Sequence, residues 1–377
     1  CQNGVVNSDG TIFAYDSIAT NLTTMNPSTA RNAVYRVDLN AIGEEVVYLV
    51  SRSNGYTDVA PNSGGNMNSQ NPSISDDGNY VAFDSYAENV PESVSASDID
   101  TNNELDVFVY NFSTARGQDE KVVSCNKTAS RAYPPNVAFK EITGNAPSRN
   151  ATISGDGAYV VFESLADNLD GFSAVTGANY QIYRIENPHK TITFAHLISR
   201  PCTLLQEGNG ASTNAHCDRT GNRIVFQSTA TNLLNSVQVS TGAATQIFLV
   251  DAATCERVLV SIAYDAASYF QGCNGNSSDP FISGDGRYVA FSSLATNLVD
   301  PAIDADLNGV ADIYVRDLES RQTTRLSKYY DGTEAGAAST LPALDYGAEM
   351  LIFQSTDTFN SVLDTNFAMD IFKRQIR

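Results

Sequence analysis

Tryptophan is absent from this 377-residue chain, histidine occurs three times, and no catalytic signature is visible. HExxH, GxSxG, P-loop and CxxC patterns would announce zinc hydrolysis, serine hydrolysis, nucleotide binding and dithiol chemistry, and all are missing. His189, His196 and His216 sit in one stretch of the chain, so a histidine-built zinc or redox centre is not expected. Positive charge is scarce too: 23 Lys and Arg stand against 43 Asp and Glu, a formal charge of −20. The basic residues are scattered singly, which argues against nucleic acid and anionic membrane surfaces as partners. No run approaches the ~20 apolar residues of a membrane helix, so no transmembrane segment is expected, and no signal peptide is visible ahead of Cys1.

What the chain does have is core-forming material, with 42% hydrophobic and only 18% charged residues. That composition excludes disorder. Six cysteines include two close pairs, Cys202 with Cys217 and Cys255 with Cys273, which are expected to form disulfides in an oxidising compartment. The expected location is therefore secreted, periplasmic or at a bacterial cell surface. Cys1 and Cys125 are left over. Cys1 is a candidate lipid anchor, although Gly4 to Asn7 already reads as a strand and leaves little tether.

Length alone would suggest two or three domains, but one phrase recurs along the whole chain. It is clearest from Pro280, as PFISGDGRYVAFSSLATNLV, an acidic loop, DIYVRDL, a turn and TTRLS. Partners begin at Gly4, Pro72, Ala151, Asn214 and Pro342, giving six copies over approximately 4–60, 72–130, 150–206, 212–268, 280–336 and 341–377. The turn glycines Gly10, Gly78, Gly157, Gly221, Gly286 and Gly347 lie 68, 79, 64, 65 and 61 residues apart. Within copy five, Pro280–Ser283, Tyr288–Ser293, Ile313–Asp317 and Thr324–Ser327 read as four strands, and nothing reads as a helix.

The Asp-Gly pair between the first two strands suits a tight hairpin. An apolar pair in the third strand, such as Val107-Phe108 or Ile313-Tyr314, is expected to pack between sheets as core. Six four-stranded antiparallel units point to an all-β, six-bladed β-propeller in a single domain, and a β-helix fits less well because its rungs are shorter. The sixth copy stops after its third strand. Its outer strand is expected to be missing, to lie outside this sequence, or to come from a partner.

The repeat resembles that of the secreted bacterial TolB-like propellers, which read ISxDGRYVAFxSxATNLVxxDxNxxxDIYVRDL. The resemblance spans nearly the whole chain and implies the fold far more than a function, since such propellers serve binding, scaffolding, assembly and peptidase proteins. Where many TolB-like repeats carry Trp in the first strand, this chain has Ile74, Ile153 and Ile282.

The most specific local chemistry is Asp98-x-Asp100-x-Asn102-x-Glu104-x-Asp106, matched in copy five by Asp304-x-Asp306-x-Asn308-Gly309-Val310-x-Asp312. Oxygen ligands at positions 1, 3, 5 and 9, with the Val310 carbonyl at position 7, match a loop wrapping Ca²⁺ at ~2.4 Å. The Glu that closes an EF-hand is replaced by Val109 and Val315, so remaining ligands must come from water or a neighbouring loop. About two structural calcium ions are expected. Asp364, Asn366 and Asp370 form a weaker third set, and Gln181 and Gln246 replace the last Asp in copies three and four.

Asn21, Asn89, Asn168, Asn232 and Asn297 follow the second strands and read as turn-shaping residues, as do Ser85 and Ser293. Asn21, Asn111, Asn126, Asn150 and Asn276 sit in Asn-x-Ser/Thr triplets. The leading expectation is a non-enzymatic, calcium-stabilised propeller engaging a protein or surface polymer. The alternatives are a carboxylate-dependent propeller glycosidase or lyase, and a structural subunit of a surface assembly.

Overall fold

The structure, a computed structural model, describes residues 2–23, 31–39, 45–51, 67–87, 104–113, 120–122, 125–126, 142–170, 175–188, 195–202, 206–234, 244–266, 271–359 and 368–376. The fold is all-β, a six-bladed β-propeller whose blades are antiparallel meanders of three or four strands. It divides into two compact units, Cys1–Ile198 and Ser199–Arg377, each holding three blades.

In the first unit, blade one is β1 (Gln2–Val6), β2 (Ile12–Ser17), β3 (Ala33–Leu39) and β4 (Glu45–Leu49). Blade two is β5 (Ser69–Ile74), β6 (Tyr80–Ser85), β7 (Asp106–Asn111) and β8 (Glu120–Val122), followed by a small pair, β9 (Cys125–Asn126) and β10 (Ile142–Thr143). Blade three is β11 (Ser148–Ile153), β12 (Tyr159–Ser164), β13 (Gln181–Glu186) and β14 (His196–Leu197).

In the second unit, blade four is β15 (Ser212–Cys217), β16 (Arg223–Ser228), β17 (Gln246–Asp251) and β18 (Arg257–Leu259). Blade five is β19 (Ser277–Ile282), β20 (Tyr288–Ser293), β21 (Asp312–Asp317) and β22 (Thr323–Arg325), with a short helix α1 (Pro301–Asp304) ahead of β21. Blade six is β23 (Ser339–Leu344), β24 (Met350–Ser355) and β25 (Asp370–Gln375), three strands among the described residues.

Cores form where neighbouring blades of a unit press together, as in Val81, Phe83 and Phe108 against Ala14 and Val34, or Leu249 and Val260 against Ile282 and Val289. In blades one to five the third-strand aromatics are core as expected, and each stacks on a second-strand aromatic of its own blade; in blade six Phe372 is only partly buried and tilted on Phe353, and Ile371 beside it is exposed. Phe83 meets Phe108 at 5.7 Å, Phe162 meets Tyr183 at 5.8 Å and Phe291 meets Tyr314 at 5.9 Å. Such cross-strand pairs add about 0.5–1.5 kcal/mol each beyond their burial.

Three features differ from the sequence reading. Helix α1 exists because Asp300 caps it, accepting from the Ala302 amide at 2.9 Å, and Pro301 starts it with a preset φ. In five hairpins Gly10, Gly78, Gly157, Gly221 and Gly286 take the positive-φ position, but in blade six Ala348, not Gly347, does so at φ 54°. Cys202 bonds Cys255, not Cys217, with Cα atoms 6.0 Å apart. Cys217 ends β15 and Cys273 packs against Gln246, both as buried thiols, so each expected pair is separated although its members are near in sequence. Cys1 and the side chain of Cys125 lie outside the described residues.

Each first strand also carries a β-bulge, and its centre is left-handed: Asn3, Asn71, Asn150, Asn214, Asp279 and Leu341 have φ between 48° and 53°. Asn and Asp tolerate that region best among residues with a side chain, and Leu341 does not.

Candidate functional site

In blade five the loop from β20 to β21 folds over the β21–β22 hairpin and gathers acids around Arg325. Its guanidinium meets Asp304 Oδ1 at 2.5 Å, Glu334 Oε1 at 2.6 Å, Asp312 Oδ2 at 3.2 Å and Asp306 Oδ1 at 3.6 Å. Lys328 Nζ reaches Asp304 Oδ2 at 3.0 Å. The Tyr314 hydroxyl donates to Asp306 Oδ2 at 2.6 Å, Ser327 Oγ to Asp312 Oδ1 at 2.5 Å, and the Leu307 amide to Glu334 Oε1 at 2.9 Å.

Four carboxylates face two cations, a formal balance of two negative charges. Burial pushes Asp306 and Asp312 above the ordinary carboxylate range, against the pull of Tyr314, Ser327 and Arg325. Burial also acts on Glu334, but the Leu307 amide and Arg325 outweigh it and hold Glu334 low. One oxygen, Asp306 Oδ1, is buried without a hydrogen-bond partner.

Asp306, Asp312 and Glu334 offer ligand oxygens within 4.8 Å of one another. These are hard oxygen donors of the kind that hold a divalent cation such as Ca²⁺, gathered where the Arg325 guanidinium already pairs with them.

Of the residues expected here, Asp304, Asp306 and Asp312 converge. Gly309 makes the sharp turn at φ 69°. Asn308 and Val310 shape the turn: the Val310 amide donates to Asn308 Oδ1 at 2.9 Å, and Asn308 Nδ2 donates to Asp312 Oδ2 and the Ala335 carbonyl. Glu334 and Arg325 were not anticipated. Register offers a signal for Arg325, because its opposite number Tyr314 matches Tyr35, Tyr183 and Phe248, which face Leu49, Leu197 and Leu259.

In blade two, Asp98, Asp100 and Asn102 lie outside the described residues. Glu104 is half-buried ahead of β7, and Asp106 is fully buried at its start. Asp364 and Asn366 also lie outside, and Asp370 begins β25.

Each unit also has a polar seam along its bulged first strands. In the first unit, Asn3 Nδ2 donates to Asn71 Oδ1 at 2.9 Å, and Asn71 Nδ2 donates to Asp84 Oδ2 at 3.0 Å. The Asn150 amide then donates to Asp84 Oδ2, and Asn150 Nδ2 to Glu163 Oε1, both at 2.9 Å. In the second unit Asn214 Nδ2 and the Asp279 amide donate to Gln227 Oε1, and Ser292 Oγ donates to Asp279 Oδ2. Asp84 and Glu163 are fully buried, and burial pushes the Asp84 carboxyl up to about 7. The signal for this seam is the single polar residue before the last Ser of each second strand.

The loop asparagines bond backbone, but of a distant segment and not of their own turn: Asn168, Asn232 and Asn297 accept the amides of Asn145, Asn209 and Asn274, each 23 residues earlier. Asn89 lies outside the described residues. Ser85 and Ser293 end their strands, each bonded to a first-strand serine at 2.8 and 2.9 Å. His216 stacks on Phe281 at 3.8 Å, and burial holds its imidazole down at about 4. His196 lies in β14, and His189 lies outside the described residues.

No protein-family model matches the chain, and no curated protein matches it. Among solved structures the chain is similar to the β-propeller domain of the Trilobed protease from Pyrococcus furiosus, with TM-score 0.51 and 9% identity over 100% of this chain and 82% of that one. It is also similar to an oligogalacturonate lyase from Vibrio parahaemolyticus, with TM-score 0.47 and 11% identity over 100% of this chain and 77% of that one. TolB from Acinetobacter baumannii gives TM-score 0.41 and 14% identity over 86% of this chain, which spans 53% of that protein's length. At such identities the likeness concerns the fold. No helix among the described residues is long and apolar enough to cross a membrane, and the disulfide is compatible with an oxidising location.

Proposed function

We propose that this chain is a non-enzymatic extracellular or periplasmic propeller that engages a protein or surface-polymer partner, with Ca²⁺ stiffening the blade-five loop. The observation that carries this reading is the loop's construction. Asp304 and Glu334 tie residues 300–312 to the hairpin at 328–334 through Arg325, Lys328 and the Leu307 amide. These tied segments expose Ile303, Leu307 and Tyr330 at 81%, 83% and 88%. A charge-locked support under exposed large apolar side chains suits recognition, because the contact side chains sit on a scaffold held in part before binding, which Ca²⁺ would stiffen further. Asp306, Asp312 and Glu334, with Asp304 beside them, are the residues that would hold the cation. No localisation signal enters this reading beyond the Cys202–Cys255 disulfide.

A photo-crosslinking side chain at Leu307, used on the protein in its native source, tests it. One discrete adduct that fades with chelator is expected. Adducts unchanged by chelator would remove calcium from the account, and turnover of an acidic polysaccharide by the purified chain would replace binding with catalysis.

A further inference from the structure

A cavity of about 550 Å³ opens in the second unit between blades four and five, and five arginines line it: Arg223, Arg257, Arg287, Arg316 and Arg321. They are five of only 23 basic residues in a chain of formal charge −20. Asp251, Glu256 and Glu319 are the acids of the lining, so its walls carry a formal excess of two positive charges where the chain as a whole is strongly negative.

The arginines are not equivalent. Arg287 is neutralised by Asp317, through bonds of 3.0 and 2.6 Å, and by Glu319 at 2.7 Å. Arg223 lies 3.8 Å from Asp251 and donates to the Gly286 carbonyl. Arg257 instead donates only to the carbonyls of Arg200 at 2.6 Å and Cys255 at 2.8 Å and to Cys255 Sγ, with no carboxylate partner among the described residues. Burial, with the neighbouring charge of Arg200, holds its pKa down at about 10. Such a cation gains most from an incoming anion. The Cys202–Cys255 disulfide cross-links the two segments whose carbonyls grip Arg257, which fixes the fork in advance.

The rest of the wall is apolar. Leu249 and Leu259 are buried and Val258 is half-buried in it. A volume of this size lies within the usual range for small-molecule sites, roughly 300–1,000 Å³. Nη2 of Arg257, the nitrogen that makes none of the bonds above, is a charged donor for a carboxylate oxygen, and the apolar wall disfavours a fully hydrated phosphate.

We propose that this cavity binds the carboxylate of a small apolar acid, with Arg257 as the anchor and Leu249, Val258 and Leu259 holding the apolar body. The same chemistry is carried by a free aliphatic acid and by the C-terminal residue of a peptide. Calorimetric titration of the intact oxidised chain with octanoate, octanamide, N-acetyl-leucine, N-acetyl-leucinamide and inorganic phosphate separates these sources.

At least one acid is expected to bind, its amide at least about tenfold more weakly, and phosphate more weakly still. Arg257→Gln should weaken the acid at least about tenfold, and reduction of the disulfide should weaken it in the unsubstituted chain. Should Arg257→Gln fail to fold, Val258→Glu places a repelling charge in the wall and should abolish binding. Equal binding of acid and amide, stronger binding of phosphate, failure of both acids to bind at millimolar concentration, or indifference to the substitution that folds would each overturn the proposal.

Discussion

Arg325→Met isolates the blade-five cluster better than any carboxylate substitution, because one side chain that is 2% exposed touches all four acids. Methionine fills most of the aliphatic volume but leaves Asp304, Asp306, Asp312 and Glu334 with Lys328 as their remaining cation. Stripping one partner from a buried ion pair costs about 3–5 kcal/mol. Glu334 is 23% exposed and can turn toward water, so the lower half of that range applies. For a unit of this size that is on the order of 10 °C in melting temperature.

Calcium should reverse part of the loss. At a hundredfold excess over its dissociation constant, a ligand bound only by the folded state returns about 2.7 kcal/mol. Urea denaturation of the unsubstituted and Arg325→Met chains, in chelator and in calcium, gives four stabilities to compare. The variant should be the weakest in chelator and should gain more from calcium than the unsubstituted chain, since no guanidinium competes for the oxygens. A loss below about 1 kcal/mol in chelator would refute the ion-pair account. Absence of any calcium effect in both chains would refute the cation site and leave Arg325 as the loop's own counter-ion.

Leu341→Asn should stabilise the second unit by about 1 kcal/mol, read from the urea midpoint, because Leu341 holds φ 51° at a bulge where the other blades use Asn or Asp. Asp84 should make the first unit less stable as pH rises. Its folded pKa of about 7 exceeds the ordinary 3.8, so its contribution is complete below 3.8 and is lost as pH climbs to about 7. Asp84→Asn should flatten that slope in urea midpoints taken across this window, and an unchanged slope would reassign it to other groups. Removing the disulfide with Cys255→Ser should cost roughly 2–4 kcal/mol, since the bond closes a 53-residue span; a melting temperature unchanged from the oxidised chain would contradict the pairing.

The fold was legible because its units repeat the same local instructions. Asp-Gly at the first hairpin, an aromatic in the second and third strands and a serine at the second strand's end need only near neighbours to be read, and six copies overrule any single ambiguity. What failed to read was long-range pairing. Cys202 lies between blades three and four, yet its partner is in the β17–β18 turn of blade four, a proximity no spacing rule supplies. Glu334 comes from beyond β22, and sequence reasoning could say only that a neighbouring loop must complete the acidic set.

Comparison of equivalent positions across the blades separates scaffold from specialisation. Asp312, the last acid of the expected calcium pattern, occupies a place where Gln246 stands in blade four. Ser327 donates to one exactly as Ser261 donates to the other, while the same serines accept the amides of Ile313 and Ile247. An acid at that position therefore caps the fourth strand whether or not a cation is near, so Asp106 or Asp370 alone says little about metal. Arg325 is the opposite case. The residue facing the third-strand aromatic is Leu49 in blade one, Val122 in blade two, Leu197 in blade three and Leu259 in blade four. Putting a guanidinium at this buried apolar position costs several kcal/mol unless charge surrounds it. Asp304, Asp306, Asp312 and Glu334 supply that charge in blade five and overshoot it by two units even with Lys328 included. That formal excess is what the calcium arm of the Arg325→Met comparison puts to the test.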